Sequence, residues 1–560
     1  MAGGLLSLVS QGQQSIILFG NPSKTFFKST YAKTTNFGLQ KFRVDYEGSK
    51  MLSLTEETTF QFKIPRYADL LMDTYITLDM PTIWSPIYPP TVETGNQWAP
   101  YEFKWIENLG AKMISNINIT CGNQKLQEYS GDYLLAQIQR DLNGTKRVLF
   151  NTMSGDTNDM NDPGNSGARV NSYPNAYYTT ANNGPEPSIR GRTLYIPLNS
   201  WFCNKSQKAF PLISLQYNEL IVSITFRPIN QLFTIRDVFD PVNDFPYVAP
   251  NFNLSQMQMY RFVQPPPDIT LLPEKYDDKR AVWNSDIHLT CTYCFLSNDE
   301  SRLFAKNEQK YLFKQVHEEK FYNVTGPNKV EINSIGLVTD YLFYFQRSDA
   351  NLRNEWSNYT NWPYNYLPSD IEFAPSDGSY NVVELDPSGN PVFVPIGPGV
   401  NPSGIATGLM ITGDYSTANT RPILESLGIL FDGEYRENIQ PAGVFNYVEK
   451  FVRTPGAAPY GLYCYNYSMN SAALYSDNQP AGATNMNRFN KIELEFTTNI
   501  PQLDPLAQVV TICDPESGEI IGVNKPTWRI YDYNYDLYFF EERVNVITFV
   551  GGNCALMYAT

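Results

Sequence analysis

The chain has 560 residues, a mass of 63.8 kDa and a formal charge of −15. That length exceeds what one ordinary core organises and predicts two or more packed units. The acidic balance argues against direct wrapping of nucleic acid, which needs a basic surface. At 42% hydrophobic and 18% charged residues the chain is globular and not disordered. Its 38 Tyr and 33 Phe, punctuated by 39 Pro and 35 Gly, favour an all-β fold.

The first segment departs from the average. Residues 1–44 hold Lys24, Lys28, Lys33, Lys41 and Arg43 and no Asp or Glu, so they carry +5 and the remainder −20. Two readings stand: an arm that meets an acidic partner, or a solvated basic edge that blunts strand pairing. The N-terminus lacks a basic n-region and its apolar run is broken by Ser and Gly, so no secretion signal is expected. No stretch reaches the roughly 20 apolar residues that span a bilayer, and a soluble chain made in the cytosol is expected.

Strand patterns dominate the rest of the chain. The best helical spacing is 130–142, with Leu134, Ile138 and Leu142 four apart. Residues 151–192 are dense in Asn, Gly, Ser and Pro and read as a long loop. Segment 213–226 alternates in two phases, which predicts a β-bulge near Asn218. A stretch at 228–282 reads as irregular, with aromatics that suggest partial order. A strand at 287–296 precedes a short helix at 298–306. The unit boundary falls near 306–312, and a second long loop is expected at 350–421. Segment 491–496 puts Ile492, Leu494 and Phe496 on one face and Lys491, Glu493 and Glu495 on the other; 531–539 sets Tyr531, Tyr533, Tyr535, Leu537 and Phe539 against Asp532, Asn534 and Asp536. Each half is a run of strands with a loop insertion, a rough duplication of one β-sandwich.

Chemistry-bearing residues are sparse. The chain has two His, His288 and His317, and nothing marks a triad around either. Seven scattered Cys do not make a disulfide framework. Cys291 and Cys294, three apart in a strand, point to opposite faces and read as buried small hydrophobes, not a metal site. Glu493 and Glu495 share a strand face with Lys491 and read as a solvated face more readily than as a glycosidase pair. No catalytic residue, metal or cofactor is expected. Asn-x-Ser/Thr sequons stand at Asn118, Asn143, Asn204, Asn253, Asn323, Asn358 and Asn466.

A set of segments, in order from residue 1 to residue 558, resembles the major capsid proteins of nucleocytoplasmic large DNA viruses. They include Met1–Leu5, Gly12–Gln14, Gly20–Lys28, Thr35–Phe37, Asp69–Leu78, Ile117–Tyr129, Tyr195–Leu198, Phe210–Leu220, Phe295–Phe304, Leu430–Tyr435, Gln479–Arg488 and Asn545–Tyr558. Departures are Ser15, Ala32-Lys33 and Asn218, where the family usually has an acidic residue, a basic pair and His. The resemblance implies a double jelly roll, two eight-stranded sandwiches: an arm at 1–40, a first jelly roll at 41–306 and a second at 307–560. It implies a homotrimer, a pseudo-hexagonal capsomer that tiles an icosahedral virion shell built in the host cytoplasm. Neighbouring capsomers and minor capsid proteins under the shell are the expected partners, with the internal membrane reached through the arm at Lys24, Lys28, Lys33, Lys41 and Arg43. Sugars added by viral routes would fall on outer loops, with Asn143 and Asn358 as candidate sites. The alternatives are a carbohydrate-binding or carbohydrate-active β-sandwich, or a minor or vertex capsid protein of the same fold.

Overall fold

The computed structural model describes residues 3–48, 50–177, 185–241, 245–361, 381–385, 391–395, 422–476, 478–501, 510–513, 520–524 and 533–558. Its long strands pair antiparallel. The first eight are β1 (Phe37–Asp45), β2 (Thr58–Lys63), β3 (Leu70–Met80), β4 (Ile114–Cys121), β5 (Gln124–Tyr129), β6 (Arg192–Pro197), β7 (Leu220–Phe226) and β8 (His288–Leu296). They form two four-stranded sheets in the orders β1-β8-β3-β6 and β2-β7-β4-β5.

The next eight are β9 (Gln309–Phe321), β10 (Pro327–Glu331), β11 (Leu337–Arg347), β12 (Leu424–Phe431), β13 (Glu434–Pro441), β14 (Leu462–Asn466), β15 (Ile492–Thr498) and β16 (Tyr535–Val550). Their sheets run β9-β16-β11-β14 and β10-β15-β12-β13. Each strand of the second set takes the place of the strand eight before it. Two four-stranded sheets face to face, with the first strand paired to the last, is the jelly-roll arrangement. The chain makes it twice. A short β17 (Asn553–Leu556) folds back on β16.

The strand periodicity explains the cores. Ile492, Leu494 and Phe496 are buried in the second sandwich with Phe343, Phe345, Leu427, Leu537 and Phe539. Phe60, Phe62, Ile76, Leu78, Ile117, Ile119, Val222 and Ile224 fill the first. The helices are short: α1 (Gly3–Val9), α2 (Gly131–Asp141), α3 (Gly144–Ser154), α4 (Asn298–Lys306) between the sandwiches, and α5 (Glu449–Arg453) after a π-helical turn at Val444–Val448.

Two expectations are corrected. The phase slip at 213–226 is no bulge: Leu212–Ser214 is a 3₁₀ turn and the strand begins only at Leu220. The intervening Gln216 N–H donates instead to Gly552 O at 2.9 Å, far along the chain. The loop expected from 151 starts with helix, α3 and then Asn158–Asn161. The stretch 228–282, read as irregular with partial order, contains Phe233–Arg236, which pairs with Phe103–Trp105 and Tyr247–Val248. Most of the loop expected at 350–421, and Tyr531 and Asp532, lie outside the described residues.

Gly131 opens α2 where a Cβ would run into the carbonyl oxygens of Ala111 and Ile114. Backbone cannot step aside as a side chain can. Gly131→Ala is expected to cost about 1–3 kcal/mol by overpacking, read as a lower denaturation midpoint at unchanged denaturant slope.

Candidate assembly surfaces

Between the sandwiches runs a seam in which ions are buried. It starts where β5 ends. Ser130 caps α2, its Oγ accepting the Tyr133 N–H at 3.1 Å, while its own N–H donates to Glu318 Oε1 of β9 at 2.7 Å. This cap presses α2 onto the outer face of the sheet β9-β16-β11-β14, and Gly131–Arg140 are all buried.

Arg140, fully buried, donates to Glu542 Oε1 at 2.7 Å and to Asp141 Oδ1 at 2.8 Å. Tyr133 Oη donates to the same Glu542 oxygen at 2.8 Å. On the other side Lys314 Nζ lies 2.5 Å from both Asp340 Oδ2 and Glu542 Oε2 and donates to Ser471 O at 2.7 Å. Burial alone would raise the Glu542 carboxyl; Arg140 and Lys314 outweigh it and hold it low, at about 2. At the start of α2, Asp132 is likewise held below its usual value against burial, by Lys112 and Arg227.

Apolar contacts flank the ions. Trp201 packs on Tyr311 and Phe313, Phe210 meets Phe549 edge-on at 5.1 Å, and Tyr133 lies 5.7 Å from Phe540. Leu342, Tyr344, Phe540 and Phe549 of the second sandwich thus belong to the core of the first. The strand edges also meet: Gln315 Nε2 of β9 donates to Leu126 O of β5 at 3.1 Å.

The N-terminal segment contrasts with the seam. Leu5, Leu6, Leu8, Val9, Ile16–Phe19, Phe26, Phe27 and Tyr31 are all exposed, among Lys24, Lys28 and Lys33. Lys41 and Arg43 are corrected from arm to strand: both lie in β1, and Arg43 pairs with Asp286 at 2.6 Å and Asp45 at 2.7 Å. The sheet register draws them in, Lys41 opposite Thr292 and Arg43 opposite Thr290.

The other candidate residues lie apart from one another. Asn143 is exposed and its Oδ1 caps α3, accepting the Lys146 N–H at 3.0 Å. Asn358 is corrected as a glycan acceptor, since it is 7% exposed and its amide is bonded to Thr360 and Glu355. His288 Nδ1 sits 2.7 Å from Asp286 O, and His317 Nε2 sits 3.0 Å from Glu319 Oε1, in different sandwiches. Cys291 and Cys294 are buried in separate clusters. Glu493 pairs with Lys491 and Lys329, and Glu495 accepts from Tyr435 Oη at 3.0 Å. Among the described residues no group of three or more His, Cys, Asp or Glu is arranged to hold a metal ion, and no helix is long and apolar enough to cross a membrane.

Sequence reasoning missed the seam residues Arg140, Lys314, Asp340 and Glu542. A signal was present: Glu541-Glu542-Arg543 interrupts an aromatic strand, and both carboxylates are fully buried.

The chain matches two families along its length. "Major capsid protein N-terminus" matches residues 25–262, and "Large eukaryotic DNA virus major capsid protein" matches residues 300–537. The major capsid protein of Phaeocystis pouchetii virus is 23% identical over 100% of both chains, and that of Paramecium bursaria Chlorella virus 1 is 22% identical over 100% of both. Among solved structures, the quasi-atomic model of the PBCV-1 virus capsid aligns with a TM-score of 0.59 at 16% identity, covering 96% of this chain and 100% of that one. The Faustovirus major capsid protein aligns with a TM-score of 0.57 at 12% identity, covering 93% and 92%.

The seam makes a signed prediction. A carboxyl held below its unfolded value stabilises the fold above the unfolded pKa, and that contribution is lost as pH falls through the folded one. Glu542 therefore supports the seam fully above about pH 4.5 and progressively less toward pH 2. Arg140→Ala leaves Glu542 with half its cations and is expected to cost about 3–5 kcal/mol. Thermal unfolding at pH 7 and at pH 3 checks both: the variant's deficit should shrink at the lower pH.

Proposed function

The chain belongs to the major capsid protein family of nucleocytoplasmic large DNA viruses, and we propose that three copies close into one pseudo-hexagonal block of the shell. Its place is the virion capsid, and its family is structural, not enzymatic. The observation that carries the proposal is the duplication: two sandwiches of the same strand order, locked side by side by a buried seam. A rigid two-lobed subunit on a three-fold axis presents six similar lobes to its neighbours. Such a block tiles a sheet without needing six separate chains.

In this reading the arm expected at 1–40 ends where β1 begins at Phe37, 37–306 is the first building unit and 307–560 the second. The chain is made and assembled in the host cytoplasm. The arm, with Lys24, Lys28 and Lys33 among exposed apolar side chains, faces the minor capsid proteins and internal membrane beneath the shell. The block carries no catalytic activity. Asn143, exposed at the start of α3, is the sugar acceptor.

Light scattering of the purified protein is expected to give three times 63.8 kDa; a persistent monomer would remove the block. Deleting residues 2–34 should leave that oligomer intact and abolish flotation with vesicles of anionic phospholipid. Equal flotation of both forms would take the membrane from the arm. Intact mass of protein taken from virions should exceed 63.8 kDa by the sugar on Asn143, and Asn143→Gln should remove the excess.

A further inference from the structure

The seam inside the chain is a template for a contact between chains. In the first sandwich the strand β5 runs straight into α2, and both are covered by the second sandwich. In the second, the equivalent strand β13 runs into the helix at residues 442–453, formed by the π-helical turn and α5. Both helices begin at the strand's end with a glycine near the start, Gly131 and Gly443, and both carry an arginine in the last turn, Arg140 and Arg453. The second is longer by the one residue that a π turn inserts.

Their surroundings differ. The α2 residues are buried, whereas Tyr447, Val448, Phe451 and Val452 are exposed, Phe451 at 91%. Tyr435 and Ile439 on β13 are exposed as well. The surface that would cover them has an equivalent too. In the second sandwich α2 sits on the outer face of β9, β16 and β11; the matching face in the first is that of β1, β8 and β3. Aligning the two sheets on the irregularity each has between its second and third strands puts Asp73 in the place of Asp340, Thr292 in that of Glu542 and Tyr75 in that of Leu342.

That face is open. Phe37 and Leu39 on β1 are exposed, and an apolar groove of about 410 Å³ runs past Leu39, Leu70, Met72, Cys294 and Phe304. Asp73, half-buried beside Met72, feels the charge of Lys41 on β1 but forms no ion pair with it at contact distance, and Arg453 donates only to the Met469 sulfur among the described side chains. The Thr292 hydroxyl is buried without a hydrogen-bond partner among the described residues.

We infer that the helix at 442–453 and strand β13 of one copy dock on the β1-β8-β3 face of the next, with Arg453 meeting Asp73, the acid in the place of Asp340, since the place of Glu542 beside it is taken by Thr292. The occupant of each open face is thus a second copy of this chain, in a head-to-tail contact that closes after three. The contact deepens the proposed three-chain block and rests on it. Phe451 and its neighbours supply the apolar half, and Arg453 with Asp73 fixes the register.

The test is a charge swap read by sedimentation equilibrium. Arg453→Asp and Asp73→Arg, each alone, should weaken association at least about tenfold. The double variant R453D/D73R should recover most of it. Phe451→Glu, at a side chain 91% exposed within its own copy, should give folded monomer by circular dichroism and mass. If the wild type is a monomer, the three-chain block itself fails. If the wild type is a trimer and the single variants or Phe451→Glu remain equally tight, the block stands and this contact is wrong. Single variants that weaken without recovery in the double overturn the Arg453–Asp73 pairing.

Discussion

Burying Arg140, Lys314, Asp340 and Glu542 between two sandwiches strips each ion of hydration worth several kcal/mol, and only close pairing offsets that loss. The pairing is geometric. Glu542 takes Arg140 and Tyr133 on one oxygen and Lys314 on the other. Sliding one sandwich along the other would take Arg140 and Tyr133 away from Glu542 and leave that buried carboxylate with Lys314 alone. An apolar seam would tolerate that slip; an ionic one does not. The seam therefore sets the angle between the two lobes more than it adds stability, and a tiling subunit depends on that angle.

The same constraint explains where the chain is left unfinished. A jelly-roll sandwich has exposed strand edges, which proteins cover or charge. The seam covers β5 and β9. It leaves β1 and β13 open, together with the helix that follows β13. The exposed side chains on those elements, Leu39, Ile439, Val448 and Phe451, are those that the proposed contact between copies would cover.

Local pattern made much of the fold legible. Alternation in 491–496 placed Ile492, Leu494 and Phe496 in the core, where they are. The four-residue spacing at 130–142 found α2, and its Ser130 cap lies at the expected edge. Motifs along the chain pointed to the family to which it belongs. What failed was long-range. The turn at 212–217 looks like strand until Gly552 bonds it from the far end of the chain. Arg43 reads as a free cation until Asp286, 243 residues away, takes it. Asn358 reads as a surface sequon until the fold buries it. The seam joins residues about 400 apart, beyond any local period.

The most direct measurement is a cryo-electron-microscopy map of the purified oligomer, fitted with the two sandwiches as separate bodies. The rotation carrying the first sandwich to the second within a chain, and that carrying the second to the first of the next chain, should both be close to 60°, with the helix at 442–453 lying on its neighbour as α2 lies on its own second sandwich. Two clearly unequal rotations, or a face-to-face dimer with that helix in solvent, would contradict the seam as the template of the block.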